Sequence, residues 1–482
     1  MRVVLGVDLG TRSTKVVVWA PGSDRPVLGR GRHPHAPSFP RPGWAEHAPA
    51  GWEQGLAPAI GQALADAGRG PGDVAGLAIT GQLDGMIAVD GGGRALGPCL
   101  IWLDRRAVDC LPAIDADRFG ALTGQVADAS HLAAKARWWD RHGGARAAAF
   151  HQPVSYLVER LTGARVIDPA LASMSMVYDL ERGDWADELL AAFELGRDRL
   201  PTIAPAEAIA GPLTAAGAAL TGLAVGTPVA VGTGDDFATA LGAGLTAGTL
   251  LDVVGTAEVV GARSPIARRD PARLVETHPY PAGGWLIENP GWLAGGAVEW
   301  LSALTGQPVL ALDAAAAATP VGADGVAFLP ALGGAMTPAW DASARGAFIG
   351  LAPGHGVGHL ARALYEACGF ALRDVADRLD QLGVPTTAVR LLGGGARSAT
   401  WAQIKADVTD RPVELAGEPD GSPLGAAMLA AVAAGLAPDV ATASSWAPAP
   451  RATIAPRADH RAAMAAGHAR YHRLFAALAT VG

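Results

Sequence analysis

The chain has 482 residues, of which 50% are hydrophobic and 17% charged, and a formal net charge of -8. That length holds two or three ordinary domains, each able to bury a core of its own. The acidic balance, with no basic cluster, argues against a nucleic-acid partner.

From the start, Met1-Arg2-Val3-Val4-Leu5-Gly6-Val7-Asp8 lacks a basic n-region, an apolar h-region and a small-residue cleavage site, so no signal peptide is expected. Residues 3–7 predict a strand, Asp8-Leu9-Gly10-Thr11-Arg12-Ser13-Thr14-Lys15 a turn, and residues 16–19 a second strand, together a hairpin. Only three of the 38 basic residues are lysines: Lys15, Lys135 and Lys405. Lys15, placed in the turn, reads equally as a phosphate ligand or an ordinary surface lysine. Helical spacing covers residues 52–68, and residues 74–79 form a strand ending at Thr80-Gly81-Gln82. Residues 156–162 and 185–194 also read as helices.

Residues 208–234 carry no charge and are long enough to suggest a membrane span, but Gly211, Pro212, Gly217, Gly222, Gly226, Pro228 and Gly232 break the run into short buried elements. Across residues 208–251 the only charged side chains are Asp235 and Asp236. Strand, Gly-Thr turn and strand recur at residues 250–254, Gly255-Thr256 and residues 257–260, a hint of a duplicated domain with a change near residue 243. A long amphipathic helix is expected over residues 360–382. A buried strand at 388–392 enters Gly393-Gly394-Gly395, and helix resumes at 400–408. This alternation argues for α/β layers. Cys99, Cys110 and Cys368, an odd number without CxxC spacing, suggest a reducing cytoplasm and no disulfide framework.

Backbone N–H groups at a tight Gly-Thr turn cradle phosphate because no bulky side chain blocks the approach. Asp8 at a strand end suits Mg²⁺ held through water. Gly393-Gly394-Gly395-Ala396-Arg397-Ser398 lies between strand and helix, as a floor for a nucleotide would, yet it lacks the last glycine of GxGxxG. No GxxxxGK[ST] occurs in the chain. Asp235 follows a buried strand and the Gly232-Thr233-Gly234 turn. It reads either as a proton acceptor for a hydroxyl or as a helix N-cap before Phe237.

With these residues in hand, the chain resembles the FGGY carbohydrate kinases, within the actin/hexokinase/Hsp70-like ATPase superfamily, nearly end to end. The most specific match is Gly346-Ala347-Phe348-Ile349-Gly350-Leu351, seven residues, His359-Leu360, two residues, then Ala363-Leu364-Tyr365-Glu366, which fits the family's C-terminal signature. Gly43-Trp44-Ala45-Glu46, Trp102-Leu103-Asp104-Arg105-Arg106, Phe328-Leu329-Pro330 and Leu424-Gly425-Ala426-Ala427 add to it.

The resemblance implies two actin-like (ribonuclease H-like) α/β domains flanking a central cleft, an N-terminal sugar-binding domain (1–243) and a C-terminal nucleotide-binding domain (244–482). It implies ATP and Mg²⁺ as cofactors, a cytoplasmic enzyme, and a sugar or polyol and ATP as partners, with a homodimer as a candidate assembly and no membrane. Asp235 corresponds to the catalytic base of xylulokinases, Asp8 to a catalytic Mg²⁺-holding residue. Gly10, Thr11, Thr14, Lys15, Gly255, Thr256, Gly296, Gly393, Gly394, Gly395, Ala396 and Arg397 fall on nucleotide-binding positions. Gln82, Leu83, Asp84, Trp102, Asp104, Asp235 and Asp236 fall on the sugar side.

The sugar side also departs from xylulokinases. They show Gln-Met-His-Gly where this chain has Gln82-Leu83-Asp84-Gly85, and asparagine where it has Asp236. The Lys-Asp of Pro-Lys-Asp-Tyr-Leu becomes Val154-Ser155, and Glu-Arg before Thr-Pro becomes Ala335-Met336. These departures leave phosphoryl transfer intact and bear on which sugar is taken; the resemblance implies D-xylulose, phosphorylated to its 5-phosphate, as the first choice. The alternatives are another pentulose or a polyol (ribulose, fuculose or tetritol type) and, further off, a non-enzymatic actin- or Hsp70-like ATPase module.

Overall fold

The computed structural model describes residues 2–23, 26–143 and 145–478 and divides into two compact units. One comprises Met1–Gly244, His278–Trp285 and Asp420–Ala447; the other comprises Leu245–Thr277, Leu286–Pro419 and Pro448–Gly482. The stretch Asp420–Ala447 therefore folds with the first unit, not with the rest of the 244–482 segment expected as the second domain. Its helix Gly421–Ala433 is buried over most of its length and packs on the first unit's central strands.

The first unit is built on a sheet in the order Ile209–Pro212, Pro228–Ala230, Val74–Gly81, Val3–Leu9, Ser13–Trp19, Val27–Pro34. Val3–Leu9 runs antiparallel to Ser13–Trp19 and parallel to Val74–Gly81. Both central strands, Val3–Leu9 and Val74–Gly81, are buried at every residue, the continuous apolar pattern of a strand covered on both faces. Lys15 lies within strand Ser13–Trp19 and not in the turn, paired across the hairpin with Asp8. The uncharged run at 208–234 resolves into Ile209–Pro212, helix Ala215–Thr221, Pro228–Ala230 and Thr233–Gly234. No helix among the described residues is long and apolar enough to cross a membrane.

The second unit repeats the plan. Its sheet runs Ala452–Ile454, Val413–Leu415, Ala388–Gly393, Thr249–Val254, Ala257–Ser264, Trp285–Leu293, Glu276–Pro279. Thr249–Val254 is antiparallel to Ala257–Ser264 and parallel to Ala388–Gly393, as Val3–Leu9 is to its own neighbours. The recurrence of the Gly-Thr turn thus marks the same position in two equivalent sheets. Helices Val357–Gln381 and Ala399–Thr409 cover this sheet, the first with Leu364, Cys368, Leu372 and Val375 fully buried. The helix expected at 185–194 is shorter, Asp187–Ala192, because Trp185 pairs as a strand residue with Tyr178.

Candidate active site

In the first unit, the ends of three parallel strands line up. Asp8 sits beside Thr80, Leu9 beside Gly81, and Thr233 and Gly234 beside Thr80 and Gly81. Asp235 is the next residue and opens helix Asp235–Gly242. Two features hold it there. Gly232 adopts φ +78, and a Cβ on it would lie 2.0 Å from the Ile79 carbonyl oxygen, so no side chain fits the turn. Thr233 donates its hydroxyl to the buried Asp168 carboxylate at 2.8 Å, and Asp168 also caps helix Pro169–Ser173. The N-cap position of Asp235–Gly242 is Gly234, so both acids lie in the first turn beyond the cap.

Asp8 is only 4% exposed. Burial pushes its carboxyl up to about 6, opposed by the Lys15 ammonium 3.9 Å away; Lys15 also approaches Asp420 at 3.5 Å. Asp8 Oδ1, Thr80 Oγ1 and both amide atoms of Gln82 are buried without a hydrogen-bond partner. Buried polar atoms rarely remain unpaired, so this patch beside Asp235 is chemically ready to receive a polar ligand or ion.

The carboxylates form an electrostatic series. Asp235 is held well above the usual carboxylate range by burial, then by Asp236 and Asp8. Asp236 is pushed up to about 7 by burial, then by Asp84. Both acids nevertheless keep part of their surface open. Asp84 stands at φ +61, unusual for a residue with a side chain. Its N–H donates to Gln152 Oε1 at 3.2 Å, its carbonyl accepts from Lys135 Nζ at 2.7 Å, and its Oδ1 meets His131 Nδ1 at 2.7 Å. Lys135 is fully buried, which lowers it to about 8, and it also donates to the Ile101 carbonyl. Leu83 packs against Gly234, where a Cβ would come within 2.1 Å of its methyl.

Trp102 Nε1 donates to Thr11 Oγ1 at 3.3 Å, so the loop bearing Trp102 lies on the Gly10-Thr11 turn. Asp104 behaves differently. It is fully buried, and its oxygens accept from the Ala45 N–H at 2.7 Å and from Arg106 through its backbone and guanidinium. Arg106 also reaches Glu46 at 2.7 Å and stacks 3.6 Å over Trp44. Asp104 thus joins the Gly43–Glu46 and Trp102–Arg106 motifs rather than offering a free carboxylate.

In the second unit, Gly255 and Thr256 form an exposed turn. The Thr256 carbonyl accepts from the Ala294 and Gly296 N–H groups at 3.2 and 2.9 Å, which fixes the start of helix Gly295–Thr305 on it. Beneath the turn, Lys405, Asp252 and Glu258 are all fully buried, with Nζ 2.7 Å from Asp252 and 2.5 Å from Glu258. Burial raises both acids, and their two charges together outweigh burial to hold the Lys405 ammonium up. Gly393 ends its strand at φ +80, followed by the short turn Gly394–Arg397, with Gly394 and Arg397 exposed and Gly395 and Ala396 buried. Arg451 anchors this turn at the Ala396 carbonyl, 2.7 Å, and Ser398 caps helix Ala399–Thr409. Sequence reasoning missed His131, Lys135, Gln152 and Asp168; the rarity of lysine was the one signal for Lys135.

The chain matches the N-terminal domain of the FGGY family of carbohydrate kinases over residues 3–242 and its C-terminal domain over residues 250–434. It is 34% identical to the xylulose kinase of Escherichia coli (strain K12) over 443 residues, 89% of this chain and 90% of that one. It is 32% identical to the glycerol kinase of Geobacter sp. (strain M21) over 470 residues, 93% of each. The solved xylulose kinase of Rhodospirillum rubrum superposes with TM-score 0.88 at 32% identity, covering 100% of this chain and 99% of that one. The expected pair of actin-like α/β domains is therefore the fold of the molecule, and a non-enzymatic ATPase module gives way to a kinase. The chain belongs to the FGGY family of carbohydrate kinases.

Proposed function

We propose that the chain transfers the terminal phosphoryl group of ATP to a hydroxyl of a five-carbon keto sugar, D-xylulose to its 5-phosphate in the first instance, with Asp235 as general base. The observation that carries this is the setting of Asp235. It is a half-open carboxylate fixed by the Gly232 turn, next to a patch of unpaired buried polar atoms, with its proton affinity raised by burial and by two neighbouring acids. A base tuned upward takes a hydroxyl proton more readily. As the sugar oxygen attacks the terminal phosphorus, its proton passes to Asp235 and ADP leaves. In the first unit the Gly10-Thr11 turn offers N–H groups to phosphate oxygens; in the second, the Gly255 N–H already donates to the Ala257 carbonyl at 2.8 Å, so that turn offers the Thr256 N–H, and Gly393–Arg397 takes the adenosine. Such transfer rests on positioning and electrostatics.

Asp8 suits Mg²⁺: its Oδ1 is buried and unpaired, and one carboxylate plus phosphates is the set this ion takes. Asp8 would hold the ion, which would supply charge neutralisation on the phosphates.

A second reading, another pentulose or a polyol, is favoured by Asp84. Its Oδ1 is committed to His131, leaving the carboxylate as an acceptor of sugar hydroxyls where a histidine would donate. Glycerol kinases are nearly as similar to this chain as xylulose kinases are. A coupled assay over pentuloses, hexuloses, glycerol and longer polyols, ranked by kcat/KM, separates the two. D-xylulose at the head supports the first reading, another pentulose, glycerol or a tetritol replaces it with the second, and ATP turnover indifferent to every sugar removes both.

A further inference from the structure

Among the described residues, one group of histidine and acid side chains converges as a metal-ligand set does, and none of its members belongs to the site above. His468 and His472 lie one turn apart on helix Arg461–Leu478, the i, i+4 spacing by which a helix presents two imidazoles to a single ion. Both direct Nε2 at Asp374 Oδ1 of helix Val357–Gln381, at 2.7 and 2.6 Å, and the two nitrogens stand 3.2 Å apart. The second oxygen, Asp374 Oδ2, accepts from the Thr337 hydroxyl at 3.0 Å, which fixes the carboxylate and leaves Oδ1 facing the imidazoles. Phe370 and Tyr471 flank His468. This is the outer support that ligating side chains ordinarily have.

We propose that Asp374, His468 and His472 bind one borderline divalent transition-metal ion, of the Zn²⁺ class, which fastens the C-terminal helix to Val357–Gln381. Two imidazole nitrogens about 2.0–2.1 Å from one tetrahedral Zn²⁺ stand about 3.3 Å apart, close to the spacing already present. Asp374 Oδ1 draws back by roughly 0.6 Å to admit the ion, and each imidazole presents its Nε2 lone pair with the proton on Nδ1. Two nitrogens and one carboxylate select against Mg²⁺ and Ca²⁺, which take oxygen sets. Asp374 is buried, whereas the His472 side chain is 45% exposed, giving the ion a path in and leaving the fourth position to water.

The test titrates Zn²⁺ into full-length, EDTA-treated and desalted protein at pH 7.5 by calorimetry, and follows thermal unfolding with and without Zn²⁺. The wild type, His472→Gln and, as a control for zinc taken by the carboxylates around Asp235, Asp8→Asn are compared. The expected result is one Zn²⁺ bound in the wild type and in Asp8→Asn, with a rise in unfolding temperature. In His472→Gln, affinity falls by roughly tenfold or more, the rise disappears, and turnover stays at the wild-type level. Identical titrations of wild type and His472→Gln overturn the proposal. Should the variant fail to fold, Co²⁺ absorption by the wild type decides: intense visible bands of a four- or five-coordinate ion support the site, and only weak octahedral bands overturn it.

Discussion

Asp8 is held against its own solvation. Its carboxyl is raised from 3.8 to about 6 by burial, so the folded chain holds that proton more tightly than the unfolded chain does. The penalty is absent below the unfolded value, grows as pH rises from about 4 to 6, and is complete above that. Asp8→Asn is therefore expected to stabilise the protein at pH 7–8 by up to about 3 kcal/mol, with the gain vanishing below pH 4, while use of Mg²⁺-ATP collapses. Unfolding curves at pH 4 and pH 8 check the first half, and the Mg²⁺ dependence of turnover the second. Asp236 adds a like charge that raises Asp235. A base acts only when ionised, so activity is lost as pH falls through its pKa. Asp236→Asn is expected to move the acid limb of the kcat/KM profile to lower pH; an unmoved limb separates the two acids. Asp84→Asn keeps the shape and halves the acceptor capacity of that side chain. A loss of roughly 10–100-fold in kcat/KM for the best sugar, the worth of a hydrogen bond to a charged group, is expected, with KM for ATP unchanged.

At the scale of elements, the helix that opens on Asp235 is placed by contact with Gly421–Ala433. A Cβ on Gly425 would lie 1.9 Å from the Ala238 carbonyl oxygen, and one on Gly242 would lie 2.0 Å from that of Gly421. Gly425→Val must push the two helices apart, costing roughly 1–3 kcal/mol of stability and lowering kcat more than it raises KM, since Asp235 rides on the displaced helix. The strands and turns that frame this contact were readable because their signals are local: apolar runs on either side of a turn, Gly-Thr turns, and a buried strand running into Gly232. The helix contact was not readable, because Leu424-Gly425 lies far along the chain from Asp235. Nor was the His131 bond to Asp84, 47 residues apart, or the capture of Asp104 by the Ala45 N–H, 59 residues away.

Across the whole molecule, one plan of strands is used twice, with a Gly-Thr turn at the same place in each sheet. The three lysines sit at consequential points of it: Lys15 across from Asp8, Lys135 under Asp84, and Lys405 between Asp252 and Glu258. Lys405→Met leaves two buried acids without their cation and is expected to cost roughly 3–5 kcal/mol, read as a lower midpoint in urea. The central claim is that Asp235 accepts the hydroxyl proton, and its most direct test is steady-state turnover of Asp235→Asn with the preferred sugar alongside ATP affinity by calorimetry. The account predicts a fall in kcat of roughly 10²–10⁴-fold with ATP affinity retained. Turnover within a few fold of the wild type would contradict it.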